Sequence, residues 1–118
     1  MTRPAPLRAA CAGAVILLAL AAGSGPGRAA DLAKGRQIAA VKCAMCHGLD
    51  GQAKVPGAPN LSGQVEQYLA VQLKAFHDGV RKNEMMSLVA PTLSEDDMAD
   101  LAAYYAGVEV TIGKVPGE

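Results

Sequence analysis

The sequence predicts a small all-α domain of three to four helices, and three observations carry that prediction. Apolar residues recur at helical spacing over residues 64–77 and again over 94–106. The stretches between are punctuated by glycine and proline, as loops are. No segment of the chain alternates apolar and polar residues with the period of two that a half-buried strand requires.

Residues 1–30 read as a signal peptide. Arg3 and Arg8 supply a positive start, and Ala9–Ala22 then runs uncharged through Val15, Ile16, Leu17, Leu18 and Leu20. A soft segment, Gly23–Gly27, follows, and the small residues Gly27 and Ala29 stand where a signal peptidase reads. Cleavage is expected after Ala29; cleavage after Ala30 is the alternative, although it puts Arg28 at an awkward position. The apolar part of that run, Ala9–Ala22, is 14 residues long, and a spanning helix needs roughly 20. Export is therefore preferred to a retained anchor. Residues 31–118 then form the mature domain, with no membrane attachment, and the periplasm is its expected location.

Leader removal changes the charge balance. The whole chain has 11 basic and 11 acidic residues, but Arg3, Arg8 and Arg28 leave with the leader, so residues 31–118 carry about −3. With no basic patch and four aromatic residues, nucleic acid is excluded as a partner. A mildly acidic surface is instead steered towards basic patches on other proteins. The mature part has 88 residues, with Tyr68, Phe76, Tyr104 and Tyr105 as its only aromatics and no tryptophan. A domain of that size buries too little surface to dispense with a staple. Cys11 leaves with the leader, so Cys43 and Cys46 are the one cysteine pair in the folded protein.

The elements follow in order. Asp31 can cap a first helix running to about Lys42, with Leu32, Ile38 and Val41 available for burial. Gly35 inside it costs stability unless another element must approach closely there. Residues 47–63 are irregular. A second helix is expected over Gln64 to about His77, its stripe formed by Val65, Tyr68, Leu69, Leu73 and Phe76, with Gly79 placed to end it. Residues 80–93 lack a clear period. Ser94 opens the last helix: its hydroxyl can cap, Asp97 stands three residues on, and Glu95, Asp96 and Asp97 favour the positive end of the helix dipole. Met98, Leu101, Ala102, Tyr104 and Tyr105 form that helix's inner face, and Gly107 can stop it.

Chemistry is concentrated in Cys43-Ala44-Met45-Cys46-His47, the attachment motif of c-type haem. Two thiols three positions apart can add to the two vinyl groups of one haem, which places the adjacent imidazole beneath the ring. A dithiol redox site would want a βαβ pattern around it, which the helical periodicity opposes. A structural zinc site needs four ligands, and after the cysteines only His47 and His77 remain. One covalently attached haem c, with three to four helices packed around it, is the expected arrangement.

From these residues the chain resembles the class I cytochromes c, in particular the bacterial subgroup whose dihaem members repeat this unit twice. The likeness spans residues 31–107. It rests on Gly35 eight residues before Cys43, the Cys-x-x-Cys-His-Gly run through Gly48, and Asp50-Gly51. It continues through Pro59-Asn60-Leu61, Gly63-Gln64, and Leu93-Ser94-Glu95-Asp96-Asp97 leading to Asp100-Leu101-Ala102-Ala103-Tyr104-Tyr105. A single attachment motif makes this the single-haem version.

The resemblance implies an axial methionine opposite His47. Met86 stands eight residues before Ser94, where the family's ligand stands, and Met85 is the neighbour that competes. Met98, on an apolar stripe, is expected in the core, and Met45 is expected to face outward. The resemblance also implies that the Pro59 carbonyl accepts from the second ring nitrogen of His47, orienting the imidazole. Gly35 and Tyr104 match the family's crossing of first and last helices. One departure is visible: Ala39 stands where the family often has an aromatic residue.

The implied function is single-electron transfer with both axial positions filled, which leaves no catalytic group and makes the protein a carrier rather than an enzyme. Expected partners are a cytochrome bc complex or a dehydrogenase on one side and a terminal oxidase or reductase on the other, met by a monomer. The alternative is a haem-bearing electron-transfer subunit of a periplasmic oxidoreductase complex, such as one oxidising a sulfur compound.

Overall fold

A computed structural model describes residues 1–2 and 27–117. Most of the leader expected from the sequence, with Cys11, lies outside the described residues. Five helices follow in order: α1 (Leu32–Lys42), α2 (Ala44–His47), α3 (Glu66–His77), α4 (Met86–Val89) and α5 (Glu95–Ala106), with a 3-10 turn at Ala90–Thr92 between the last two. No strand occurs among the described residues. α1 lies across α5 in the most extensive helix contact, and α3 covers another side of α5.

The two capped helix starts form as the sequence predicts. The Asp31 side chain accepts from the backbone nitrogen of Lys34 at 3.0 Å. At Ser94 the box is reciprocal: its hydroxyl accepts from Asp97 N and the Asp97 carboxylate accepts from Ser94 N, both at 3.1 Å. The Lys34 ammonium then reaches Asp97 at 2.9 Å, tying the start of α1 to the start of α5. That ion pair, with the Ser94 amide as second cause, holds the Asp97 carboxyl down at about 2.

α1 does not bury the residues its sequence offers. Leu32 and Val41 are exposed and Ile38 is only half-buried, whereas Gly35 and Ala39 are buried. Close approach is the reason, because larger side chains along this line would hold the helices apart. A Cβ on Gly35 would stand 2.2 Å from the Asp100 carbonyl oxygen and 2.9 Å from Tyr104 Cβ. Ala39, where an aromatic residue was the family's habit, is completely covered by the same contact.

α3 begins at Glu66, two residues later than its stripe suggests, because Val65 is extended and serves as the N-cap. Leu69 and Phe76 are buried, while Val65 and Tyr68 from the predicted stripe are exposed. The stretch without a clear period holds α4 and the 3-10 turn, both too short to show a repeat. Met98 is buried and Met45 is 82 % exposed, each as expected. Leu69, Leu93, Met98, Leu101, Ala102 and Tyr105 join Ala39 in one core cluster, with Cys43 and Leu49 against its edge. The inner face of α5 also carries one residue the apolar stripe did not announce, Asp100, which has no exposed surface.

Two tests follow. Gly35→Ala gains up to about 1 kcal/mol of helix propensity but overpacks against backbone that cannot yield, at about 1–3 kcal/mol. A net loss in urea unfolding is expected, and a stabilised variant would contradict the close crossing. Because the Asp97 carboxyl is held low, its stabilisation is complete above the ordinary carboxylate range and is lost as pH falls towards 2. Lys34→Gln should therefore begin acid unfolding at higher pH than the parent, as followed by circular dichroism; coincident curves would show that the pair contributes nothing.

Candidate haem-binding site

The motif is built where α1 runs out. Cys43 closes α1, its amide bonded to the Ala39 carbonyl at 2.9 Å, and its own carbonyl accepts from His47 N at 2.9 Å to start the single turn of α2. That turn sets Cys43, Cys46 and His47 on consecutive levels of one short helix, both thiols free and half-buried. Burial pushes the Cys43 thiol up to about 11, so it is a neutral S–H rather than a thiolate.

His47 is buried, and its Nδ1 is 2.9 Å from the Pro59 carbonyl oxygen. A carbonyl can only accept, so Nδ1 is the donor in this bond and Nε2 is the ring nitrogen not engaged by it. The structure thus brings His47 and Pro59 together across twelve residues of loop. That loop is fastened at several points. Lys54 N donates to the Cys46 carbonyl at 2.8 Å, Leu61 N to the Gly51 carbonyl at 2.7 Å, and Ala53 N to Asn60 Oδ1 at 2.8 Å. Gly48, at φ 72 and ψ 152, turns the chain away directly after His47; a Cβ there would stand 2.3 Å from Asp50 Oδ1 and 2.5 Å from the Gln52 carbonyl.

α5 grips the same turn from the core side. The Tyr105 hydroxyl donates to the Gly48 carbonyl at 3.0 Å and the Tyr104 hydroxyl to the Leu49 carbonyl at 2.7 Å. Burial raises the Tyr105 hydroxyl well above its ordinary value, so it remains a donor at any physiological pH. Sequence reasoning assigned these tyrosines to packing alone. Their partners lie more than fifty positions away, and nothing in a local pattern points that far.

Met86 stands on a separate segment, at the first position of α4, which packs on α3 and the 3-10 turn. It is half-buried, and its neighbour Met85 is 55 % exposed. Asn83 fixes this turn: its side-chain oxygen accepts from the amides of both Met85 and Met86 at 3.0 Å, and its own amide donates to Ser87 Oγ at 3.0 Å. His77, weighed above as a zinc ligand, is instead paired with Asp78 at 2.8 Å. Among the described residues no three His, Cys, Asp or Glu side chains stand together as a metal site.

Residues 32–108 match the family described as cytochrome c. Over 85 residues the chain is 42 % identical to cytochrome c4 of Pseudomonas aeruginosa, covering 72 % of this chain and 42 % of that one. Over 70 residues it is 47 % identical to cytochrome c-554(548) of Halomonas halodenitrificans, covering 57 % of this chain and 84 % of the relative. Among solved structures, thiosulfate dehydrogenase of Marichromatium purpuratum superposes with a TM-score of 0.61 at 32 % identity, over 75 % of this chain and 21 % of that one. The chain therefore spans less than half of the cytochrome c4 relative and most of the shorter one.

The clamp from α5 is open to test. Tyr105→Phe removes the side-chain donor from the Gly48 carbonyl, which keeps only the Gly51 amide at 3.2 Å, at a cost of about 0.5–1.5 kcal/mol. The loss should appear in chemical denaturation with the helical content unchanged, and an equally stable variant would remove the clamp from the account.

Proposed function

The chain belongs to the cytochrome c family, and from that membership we propose that it carries single electrons through the periplasm as a diffusible protein, not as a catalyst. The family's group is one covalently bound haem c, and the donor set of this chain fits it. Two half-buried thiols stand one turn apart, followed by a buried imidazole whose Nε2 is the nitrogen left free. In this reading Cys43 and Cys46 take the thioether bonds and His47 is one axial ligand. The single observation that carries it is the 2.9 Å bond from His47 Nδ1 to the Pro59 carbonyl, which fixes tautomer and ring orientation together.

Met86 is proposed as the second axial ligand in preference to Met85, because it is the more covered of the two. When bound, the haem supplies the one-electron Fe(II)/Fe(III) couple, which a thioether ligand and burial shift towards the reduced state. The protein's part is to hold both axial donors still. The Pro59 carbonyl orients His47, the two tyrosines hold the turn after it, and the Asn83 cap holds the methionine turn. With His47 and Met86 both serving as ligands, a bound haem would offer no open position to oxygen or substrate. The net charge of about −3 on residues 31–118 favours brief docking on basic faces of its partners. Those partners would be a cytochrome bc complex or dehydrogenase as donor and a terminal oxidase or reductase as acceptor. Among the described residues no helix is long and apolar enough to cross a membrane.

A second reading has a specific observation behind it. The likeness to one part of a thiosulfate dehydrogenase favours a haem-bearing subunit that drains electrons from a periplasmic oxidoreductase of sulfur compounds. Gel filtration of a periplasmic extract separates the two, with a free monomer expected for the carrier and a fixed stoichiometric complex for the subunit.

The purified protein should give a low-spin c-haem spectrum with the weak methionine–iron band of the oxidised form. Met86→Ala should abolish that band and lower the potential, and Met85→Ala should preserve both. A high-spin parent, or loss of the band in the Met85 variant alone, would overturn the assignment of Met86.

A further inference from the structure

The most buried charge in the domain has no part in the haem site. Asp100, on the inner face of α5, has no exposed surface. Its Oδ1 accepts from the backbone nitrogen of Asp31 at 2.7 Å and from Arg28 Nη1 at 2.8 Å, and its Oδ2 accepts from Arg28 Nη2 at 3.0 Å. Lys34 stands 3.9 Å from Oδ2, but its ammonium is committed to Asp97 at 2.9 Å. Arg28, first, and then the Asp31 amide hold the Asp100 carboxyl below the ordinary carboxylate range. Loss of Arg28 would leave this carboxylate with the Asp31 amide and the more distant Lys34 as its remaining partners, and an ion pair broken on one side is destabilising.

Arg28, however, lies on the leader side of both bonds at which the leader is expected to be cut. The cut that removes this cation also makes another. Water adds across the peptide bond: its hydroxyl goes to the leader's acyl carbon, which leaves as a carboxylate, and the released nitrogen takes up protons to become an α-ammonium. After Ala30 that nitrogen is Asp31 N, the atom already nearest to Asp100. After Ala29 it is the nitrogen of Ala30, one residue away, within about 4 Å of chain. The family match begins at Leu32, so the new terminus falls at the edge of the domain proper.

We propose that the α-ammonium created by leader removal replaces the Arg28 guanidinium as the counter-ion of Asp100. Processing therefore exchanges one cation for another across the α1–α5 crossing, and the buried carboxylate is satisfied before and after it. The N-terminus becomes an anchored part of the core contact instead of a fraying end. The inference rests on the export reading above.

The charged groups facing the new terminus are Asp31 and Lys34 from α1 and its cap, and Asp96, Asp97 and Asp100 from α5. Carboxylates outnumber cations there, so the amine's pKa rises above its ordinary range of about 7.7–8.0. A raised value means that the stabilisation is complete below that range and is lost as pH climbs through the folded-state value.

The test uses the full chain, exported in a host competent for haem attachment. N-terminal sequencing and intact mass of the holoprotein should give a first residue of Ala30 or Asp31. Urea unfolding of that protein should show stability falling between pH 7 and 10, by about tenfold in the folding constant for each unit of pKa shift. A Gly-Ser insertion between Ala30 and Asp31 moves the ammonium off Asp100 and should abolish that slope, as should Asp100→Asn if it folds. A first residue at or before Arg28 in exported protein overturns the exchange, as does an insertion variant with the parent's stability and pH slope. An uncleaved Met1 start in protein confined to the cytoplasm overturns the export reading, and the exchange with it.

Discussion

The close passage of α1 over α5 at Gly35 governs the rest of this domain. With one hydrogen as a side chain, position 35 lets the Asp100 carbonyl approach to a distance that any Cβ would forbid. The crossing fixes the direction in which α1 delivers Cys43, and hence where the single turn of α2 begins. It also fixes the height of Tyr104 and Tyr105 on α5, and from there both hydroxyls reach carbonyls just beyond His47. A change of spacing between these two helices would therefore be felt at the imidazole, about a dozen residues further along the chain.

Within that frame the site is held mainly by backbone acceptors. Carbonyls of Gly48, Leu49 and Pro59 each receive one side-chain donor, two from tyrosines and one from the imidazole itself. All three bonds join neutral groups, so they hold the turn around His47 without adding a formal charge of their own. Charged side chains do stand beside it, with Lys42 next to Cys43 and an Asp50–Lys54 ion pair in the following loop, but they make none of these three bonds. Lys34, Asp97 and Asp100 gather at the far ends of α1 and α5, where they fasten the helices to each other.

Much of this was legible in the sequence because it is encoded locally. The caps at Asp31 and Ser94 are four-residue patterns, the attachment motif is five residues long, and the unexplained Gly35 marked a close approach before any partner was known. What escaped was set by tertiary context. α1 reads as a helix with Leu32 and Val41 to bury, yet the crossing selects its smallest residues and leaves both exposed. α4 is a single turn held by the Asn83 side chain, too short for any periodicity. Asp100 is polar on an apolar stripe, and its burial makes sense only once the Asp31 amide and Arg28 are beside it. The tyrosine hydroxyls found partners too distant in the chain for pattern reading to connect.

Everything proposed for this site requires both cysteine sulfurs at the α2 turn to be bonded to one haem, with His47 as its ligand. Trypsin cleavage after Lys42 and Lys54 isolates the peptide Cys43–Lys54, and mass spectrometry of that peptide from exported protein reads that bonding directly. The peptide is expected to carry the mass of one haem and to offer no thiol to an alkylating reagent. A peptide of unmodified mass that takes up two alkyl groups, from protein made where cytochromes mature, would contradict it.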